Sequence, residues 1–239
     1  MKNNILILGA SSDIGIEITK HFLFKGKKIF AHYSNNKSKL NILKKKYKNN
    51  LELIKYSVDL DDSSINDNEI KKIFNLDVCS VINLIGFTDN KSFINTSSFE
   101  TLKNLYVNMI FPQIVIKSVI NQMIKKKFGR ILNVTSIGSK FGGGNNNYNY
   151  SLSKHSLEFI PQYFKTLSKN NIFINNLRLG VVDTKIHKKI LKKNLKNRIN
   201  MIPVKRMCKP KELVDIIDYL STDKNSFITL DTITVAGGE

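Results

Sequence analysis

The first fifteen residues restrict the fold more than any other stretch. Ile5-Leu-Ile-Leu8 is an unbroken apolar run, the pattern of a strand buried on both faces in a parallel sheet. It leads at once into Gly9-Ala-Ser-Ser-Asp-Ile-Gly15, and then Ile14, Ile18 and Phe22 follow at helical spacing. Strand, glycine turn and helix in that order make a βα unit. Its glycines let the backbone approach a pyrophosphate, and its helix N-terminus offers free N–H groups and the positive end of a dipole. A tight βα turn with no ligand is the alternative. Gly9, Ser11, Ser12, Asp13, Ile14 and Gly15 are therefore candidate cofactor-binding positions.

The same alternation continues along the chain. Strand patterns at 27–33, 51–60, 78–86, 129–136, 172–180 and 231–238 are separated by helical ones, including an apolar helix with Leu102, Leu105, Val115 and Val119, and a tyrosine-bearing helix running to about Lys169. Alternating β and α units predict a parallel sheet with right-handed crossovers. The expected fold class is α/β: one Rossmann-type doubly wound sheet of about seven strands with helices on both faces. At 239 residues the chain suits a single domain, 1–239. A basic amphipathic segment at about 185–206, with Leu195, Ile199 and Ile202 on one side, reads as a flap over the site.

The net charge of +19 raises nucleic acid, anionic membrane or acidic partners. The lysines are spread along the whole chain among asparagines and isoleucines, with no aromatic-interleaved basic patch. Nucleic acid and membrane are thus not expected as partners. No stretch approaches a bilayer span or a signal segment, which predicts a cytoplasmic protein. Cys79 and Cys208 give neither metal-ligand spacing nor a disulfide framework, and no metal is expected.

Chemistry concentrates where strands end. The segment 129–136 is an apolar strand running into hydroxyls at Thr135 and Ser136, followed by a glycine-rich loop and then Tyr150-Ser-Leu-Ser-Lys154. On a helix, residues four apart stack on one face, so a phenol lies beside an ammonium. A nearby cation favours the phenolate, which predicts a lowered tyrosine pKa and makes Tyr150 the candidate general acid. The competing reading is a solvated pair in a lysine-rich chain. Asn108 stands alone in an apolar helix, where an amide needs a partner. Asn83 and Gly86 close the strand 78–86, polar and flexible where a cofactor would pass. After strand two comes Tyr33-Ser-Asn-Asn-Lys-Ser38, with Ser34 and Lys37 but no acid to accept from a ribose 2′-hydroxyl. That absence favours NADP(H) over NAD(H). Asp59, with Leu60, would reach an adenine edge or cap the following helix.

In this order the motifs resemble the short-chain dehydrogenase/reductase family over essentially the whole chain. The glycine motif matches 9–15, Asn83-Leu-Ile-Gly86 matches the family's Asn-Asn-Ala-Gly, and its catalytic Asn, Ser, Tyr and Lys fall on Asn108, Ser136, Tyr150 and Lys154. Leu179-Gly-Val-Val-Asp-Thr184 and Val235-Ala-Gly-Gly238 match its later elements. The resemblance implies hydride transfer between a nicotinamide and a carbonyl, with Tyr150 as acid. Lys154 would hold the ribose, Ser136 the carbonyl oxygen, and Asn108 a water leading to Lys154. It also implies that Gly180, Val182 and Thr184 meet the carboxamide end and that Ile14 packs under the nicotinamide.

Three departures stand out. Asp13 replaces the usual middle glycine, Leu179 the usual proline, and Ser12 a basic residue frequent in NADP-binding members, which leaves Lys37 and His32 for a 2′-phosphate. Tyr148 is rejected as the acid because Leu152, not a lysine, lies one turn on. The pattern is most similar to the 3-oxoacyl-(acyl carrier protein) reductases, implying a carrier-bound carbonyl substrate on acidic acyl carrier protein and a homodimer or homotetramer. The alternatives are a reductase of a sugar or sugar nucleotide, and a non-catalytic NADP- or nucleic-acid-binding protein.

Overall fold

The computed structural model describes residues 4–58, 60, 68–185 and 192–239. Seven strands form one parallel sheet in the order β3-β2-β1-β4-β5-β6-β7: β1 Ile5–Leu8, β2 Ile29–Tyr33, β3 Leu51–Lys55, β4 Ser80–Asn83, β5 Gly129–Ser136, β6 Ile172–Leu179 and β7 Thr232–Val235. The helices are α1 Asp13–Phe24, α2 Ser38–Lys46, α3 Asn68–Phe74, α4 Ser98–Leu105, α5 Phe111–Lys126, α6 Gly138–Phe141, α7 Tyr148–Glu158, α8 Tyr163–Leu167, α9 Lys192–Met201 and α10 Val214–Ser221. Strands β1, β2 and β4 are buried along their whole length, as in a parallel sheet covered on both faces, and β2 and β4 bury His32, Ser80 and Asn83 along with their apolar residues.

Two apolar cores lie on opposite faces. One gathers Leu6, Phe111, Val115 and Ile131 beneath α5, and the other Ile7, Ile18, Phe22 and Ile217 beneath α1 and α10. The strand order reverses between β1 and β4, so the crevice above their C-terminal ends is where an open sheet of this kind takes a ligand.

Two elements differ from expectation. The tyrosine helix ends at Glu158, not near Lys169, because Pro161 lacks an N–H and forces its predecessor towards extended backbone; the chain turns there and restarts as α8. The apolar helix is not one regular piece. A π-turn, Tyr106–Ile110, joins α4 to α5, and this widened turn carries Asn108, fully buried. Of the expected flap, residues 186–191 lie outside the described residues, and α9 forms the part that follows.

Candidate active site and cofactor crevice

The ends of β4 and β5 and the first two turns of α7 bring Ser136, Tyr150 and Lys154 together. Lys154 is buried, with 2% of its surface exposed, and its Nζ donates to the carbonyls of Ile85 at 2.6 Å and Val134 at 2.9 Å. Burial pushes its pKa down to about 7, against a smaller opposing pull from the Glu158 carboxylate one turn on. The Tyr150 phenol is the hydrogen-bonding neighbour of Ser136. Its pKa is raised, not lowered: desolvation outweighs the Ser136 hydrogen bond. The sequence expectation fails here for a physical reason. Lys154 sits 5.9 Å from the tyrosine ring centroid with its donors turned to backbone carbonyls, and it carries a weakened charge.

The Asn108 side chain hydrogen-bonds elsewhere than to these three. Its amide exchanges two hydrogen bonds with the backbone of Phe87, accepting from the N–H at 2.7 Å and donating to the carbonyl at 2.8 Å, and donates to Ser153 Oγ at 2.8 Å. It therefore holds the chain just after Gly86 against α7. A methyl group on Gly86 would lie 3.7 Å from the Tyr150 ring and 4.0 Å from the Lys154 stem, so this glycine leaves open the space over both. Tyr148 is edge-on to Phe93, ring centroids 4.9 Å apart, and plays no part in the cluster.

At the cofactor end, Gly9 has φ +74° and its N–H donates to His32 Nδ1 at 3.2 Å. A Cβ on Gly15 would fall 2.6 Å from the Ala10 carbonyl, so the turn closes this tightly only with glycine there. Ser12 caps α1, its Oγ accepting from the Gly15 N–H at 3.0 Å. Asp13 does not face the turn unpaired: Lys39 Nζ lies 2.8 Å from one carboxylate oxygen and the Lys185 N–H 2.9 Å from the other. These bonds hold its carboxyl below the ordinary range despite desolvation. Ser11 and Ile14 are half-buried beside it.

His32 corrects a second expectation. It is buried and neutral, its pKa pushed down to about 4 by desolvation, and with Gly9 on Nδ1 its Nε2–H donates to the Tyr56 carbonyl at 3.0 Å. It braces the turn and has no face left for a phosphate. Lys37 is exposed ahead of α2, and Ser34 Oγ pairs with Ser57 Oγ at 2.8 Å. Leu60 is half-buried, while Asp59 lies outside the described residues. Gly180 packs under Ala236, Val182 bridges to Cys208, and Thr184 stands half-exposed at the bend beyond.

Asn83 does not present its side chain to the crevice. Fully buried, it accepts from the Ile85 N–H at 3.1 Å and donates to Asn133 Oδ1 at 3.2 Å. Asn133 in turn donates to Asn176 at 3.4 Å, and Asn176 to the Glu158 carbonyl at 2.9 Å. Register puts the three asparagines side by side across β4, β5 and β6. This ladder joins the turn whose Ile85 carbonyl holds Lys154 to the end of α7, and sequence reading did not find it. The only sequence signal was three strands each carrying an otherwise unfavourable Asn.

An ammonium buried with two acceptors for three hydrogens, the open floor at Gly86 and the pinched glycine turn fit a nicotinamide dinucleotide. Comparison with known proteins agrees. The model of one family, described as enoyl-(acyl carrier protein) reductase, matches residues 9–239. The chain belongs to the short-chain dehydrogenase/reductase family and is an NAD(P)H-dependent carbonyl reductase. It is 30% identical over 244 residues to the 3-oxoacyl-(acyl-carrier-protein) reductase of Buchnera aphidicola subsp. Schizaphis graminum, covering 99% of this chain and 97% of that one. It is 25% identical to the enzyme of the same name from Thermotoga maritima, covering 98% and 96%. In fold it is similar to the NADP-bound 3-oxoacyl (acyl-carrier-protein) reductase of Agrobacterium tumefaciens, with a TM-score of 0.85 at 18% identity over 99% of this chain and 94% of that one. Among the described residues no helix is long and apolar enough to cross a membrane.

Proposed function

We propose that the chain reduces the 3-oxo group of an acyl thioester carried on acyl carrier protein, with NADPH as reductant. The observation that carries the reading is the convergence of Ser136, Tyr150 and Lys154 above the ends of β4 and β5, in a chain resembling reductases of that name over nearly its whole length. Apolar side chains beside the start of α7, the Phe93–Tyr148 ring pair and the exposed Ile94, suit an acyl chain better than a sugar.

The nicotinamide, when bound, supplies the hydride. Tyr150 gives its proton to the carbonyl oxygen, and its raised pKa keeps the phenol protonated through the neutral range, the state a general acid needs. Ser136 donates a hydrogen bond to the same oxygen. Lys154 offers its third N–H to the ribose and faces the phenolate left on Tyr150 from one turn away. Asn108 fixes the Phe87 backbone, and with it the floor at Gly86. At the glycine turn, Ser11, Ser12, Ile14 and the N–H groups of the first turn of α1 hold the pyrophosphate. Asp13 is neutralised there by Lys39 and the Lys185 N–H. Gly180, Val182 and Thr184 border the carboxamide. Lys37, with Ser34, is the group available to a 2′-phosphate, and no carboxylate on β2 or in residues 34–38 opposes it. Lys196 and Lys205 would meet the acidic carrier, and exposed Phe99, Leu102 and Ile110 would be covered in a homodimer or homotetramer.

Loss of NADPH absorbance on adding acetoacetyl thioester, with NADH and an oxidised sugar nucleotide in parallel, tests the reading. Turnover with NADPH and thioester, lost by at least about 100-fold in Tyr150→Phe, is expected. Turnover of the sugar nucleotide alone would overturn the substrate.

A further inference from the structure

A largely enclosed carboxylate one turn beyond Lys154, its side chain 9% exposed, has no part in the chemistry so far. Glu158 ends α7, and four side-chain hydrogen bonds converge on it. Its Oε1 accepts from Thr135 Oγ1 and Ser139 Oγ, both at 2.6 Å, and from Arg178 Nε at 2.9 Å; Oε2 accepts from Arg178 Nη2 at 2.6 Å. Its backbone carbonyl takes the last bond of the asparagine ladder. These partners come from β5, α6 and β6. Thr135 is the residue before Ser136, and Ser139 Oγ also lies 2.6 Å from the Ser136 carbonyl. One carboxylate thus fastens the strand that carries Ser136 to the helix that carries Tyr150 and Lys154.

A helix end held only by packing would not need an anion. A carboxylate this enclosed costs several kcal/mol in desolvation unless its bonds offset it, so its presence calls for a use of the charge itself. Among the described residues, the charge that acts on Lys154 is Glu158 one turn after it on α7, with the Tyr150 phenol one turn before it; the ammonium itself bonds the Val134 carbonyl of β5 and the Ile85 carbonyl after β4. Arg178 balances Glu158, but its side chain is the more exposed of the pair, 20% against 9%, so solvent screens it more.

On the reductase reading above, we propose that Glu158 is a positioning residue of this site. It fixes the Ser136 strand against α7 and supplies the anion that keeps the Lys154 ammonium charged where the cofactor and Tyr150 need it. A group in desolvating surroundings whose one opposite charge is removed loses its proton more readily. The pull of Glu158 on Lys154 runs in that direction.

The test is Glu158→Gln, which keeps the shape and most hydrogen bonds and removes the charge, compared with Arg178→Gln, which breaks the salt bridge and keeps the carboxylate. The first readout is a 13Cε-lysine NMR titration of the apoprotein, with Lys154 assigned from Lys154→Arg. It needs no substrate, so it decides the inference even if the thioester reading fails. Glu158→Gln is expected to move the Lys154 titration down by about one pH unit or more, and Arg178→Gln to leave it in place or raise it. The second readout is kcat against pH, whose alkaline limb should fall by the same shift. If Glu158→Gln fails to fold, Glu158→Asp takes its place: the charge is kept, so the titration stays while kcat drops. An unmoved Lys154 titration in folded Glu158→Gln, or a displaced one in Glu158→Asp, would overturn the proposal.

Discussion

Among the described residues two cations are buried, and the sheet places them at opposite ends of β5. Arg130, at its start, is 1% exposed; all five of its N–H groups are engaged, with the carbonyls of Gly129, Asn171, Thr222 and Asn225 and with Asn171 Oδ1. Its guanidinium lies 4.4 Å from the Phe128 ring centroid and 4.2 Å from that of Phe173. Lys154 lies beside the strand's other end, equally hidden, with two acceptors and a third hydrogen left over. Desolvation lowers both, Arg130 to about 10 and Lys154 to about 7. The fold saturates the first, which stays charged at every relevant pH, and leaves the second unsaturated and close to neutrality. A buried cation with every donor engaged serves stability. One with a spare donor and a pKa near 7 is poised for a ligand and a proton.

The comparison breaks most visibly at Arg130. Arg130→Met would take the guanidinium donors from four backbone carbonyls at the junction of β5, β6 and the 222–225 turn, of which those of Asn171 and Thr222 keep a backbone N–H. The expected loss is about 3–5 kcal/mol, the scale for removing one partner from a buried charged network. Urea denaturation would show it as a lower midpoint with unchanged slope, while cofactor affinity at a temperature where the variant is folded stays as it was. A loss below about 1 kcal/mol would mean that the guanidinium's hydrogen bonds and ring contacts together add little net stability at this corner.

His32 sharpens the contrast because it is a buried base kept neutral throughout. Its pKa is about 4 in the fold and about 6.5 unfolded. Above pH 6.5 both states are neutral and its contribution is complete; as pH falls from 6.5 to 4 only the unfolded chain takes the proton, so stability drops. The expected loss across that window is about 3 kcal/mol. His32→Gln, which keeps a donor for the Tyr56 carbonyl, should flatten that part of the stability–pH curve relative to wild type.

The β1–glycine–α1 unit and the order of alternating strands were legible because each depends on neighbours in sequence. So was the pairing of Tyr150 with Lys154, four apart on one helix. What spacing could not show was depth: the cation beside Tyr150 suggested a lowered phenol pKa, but burial reverses it and turns Lys154 towards two carbonyls. His32 misled in the same way: the sequence places it in strand two and offers it to a 2′-phosphate, but burial there leaves it neutral with both ring nitrogens engaged. The asparagine ladder joins residues 50 and 43 positions apart, and the Glu158–Arg178 pair residues 20 apart, contacts that only strand register and crossovers create. The break after Glu158 was different, since Pro161 announces it; apolar periodicity carried the expected helix past a residue that could not continue it.

Lys154→Met gives the smallest change in stability and the clearest separation of the two cations. Removing the ammonium relieves the desolvation that lowers its pKa, and strands the Ile85 and Val134 carbonyls; near pH 7 these opposing effects leave a net change of about 1 kcal/mol or less. The pH dependence then identifies the group. In wild type the unfolded lysine titrates near 10.4 and the folded one near 7, so between those values only the unfolded chain holds the proton and wild-type stability rises with pH. The Met variant lacks that rise, so the two curves should diverge steadily above pH 7 in favour of wild type. Turnover, by contrast, should fall by at least about 100-fold in the variant at every pH, because the spare N–H and the charge facing Tyr150 are both gone. Parallel stability curves would mean that Lys154 keeps its proton in the fold as firmly as Arg130 does, and the distinction between the two cations would collapse.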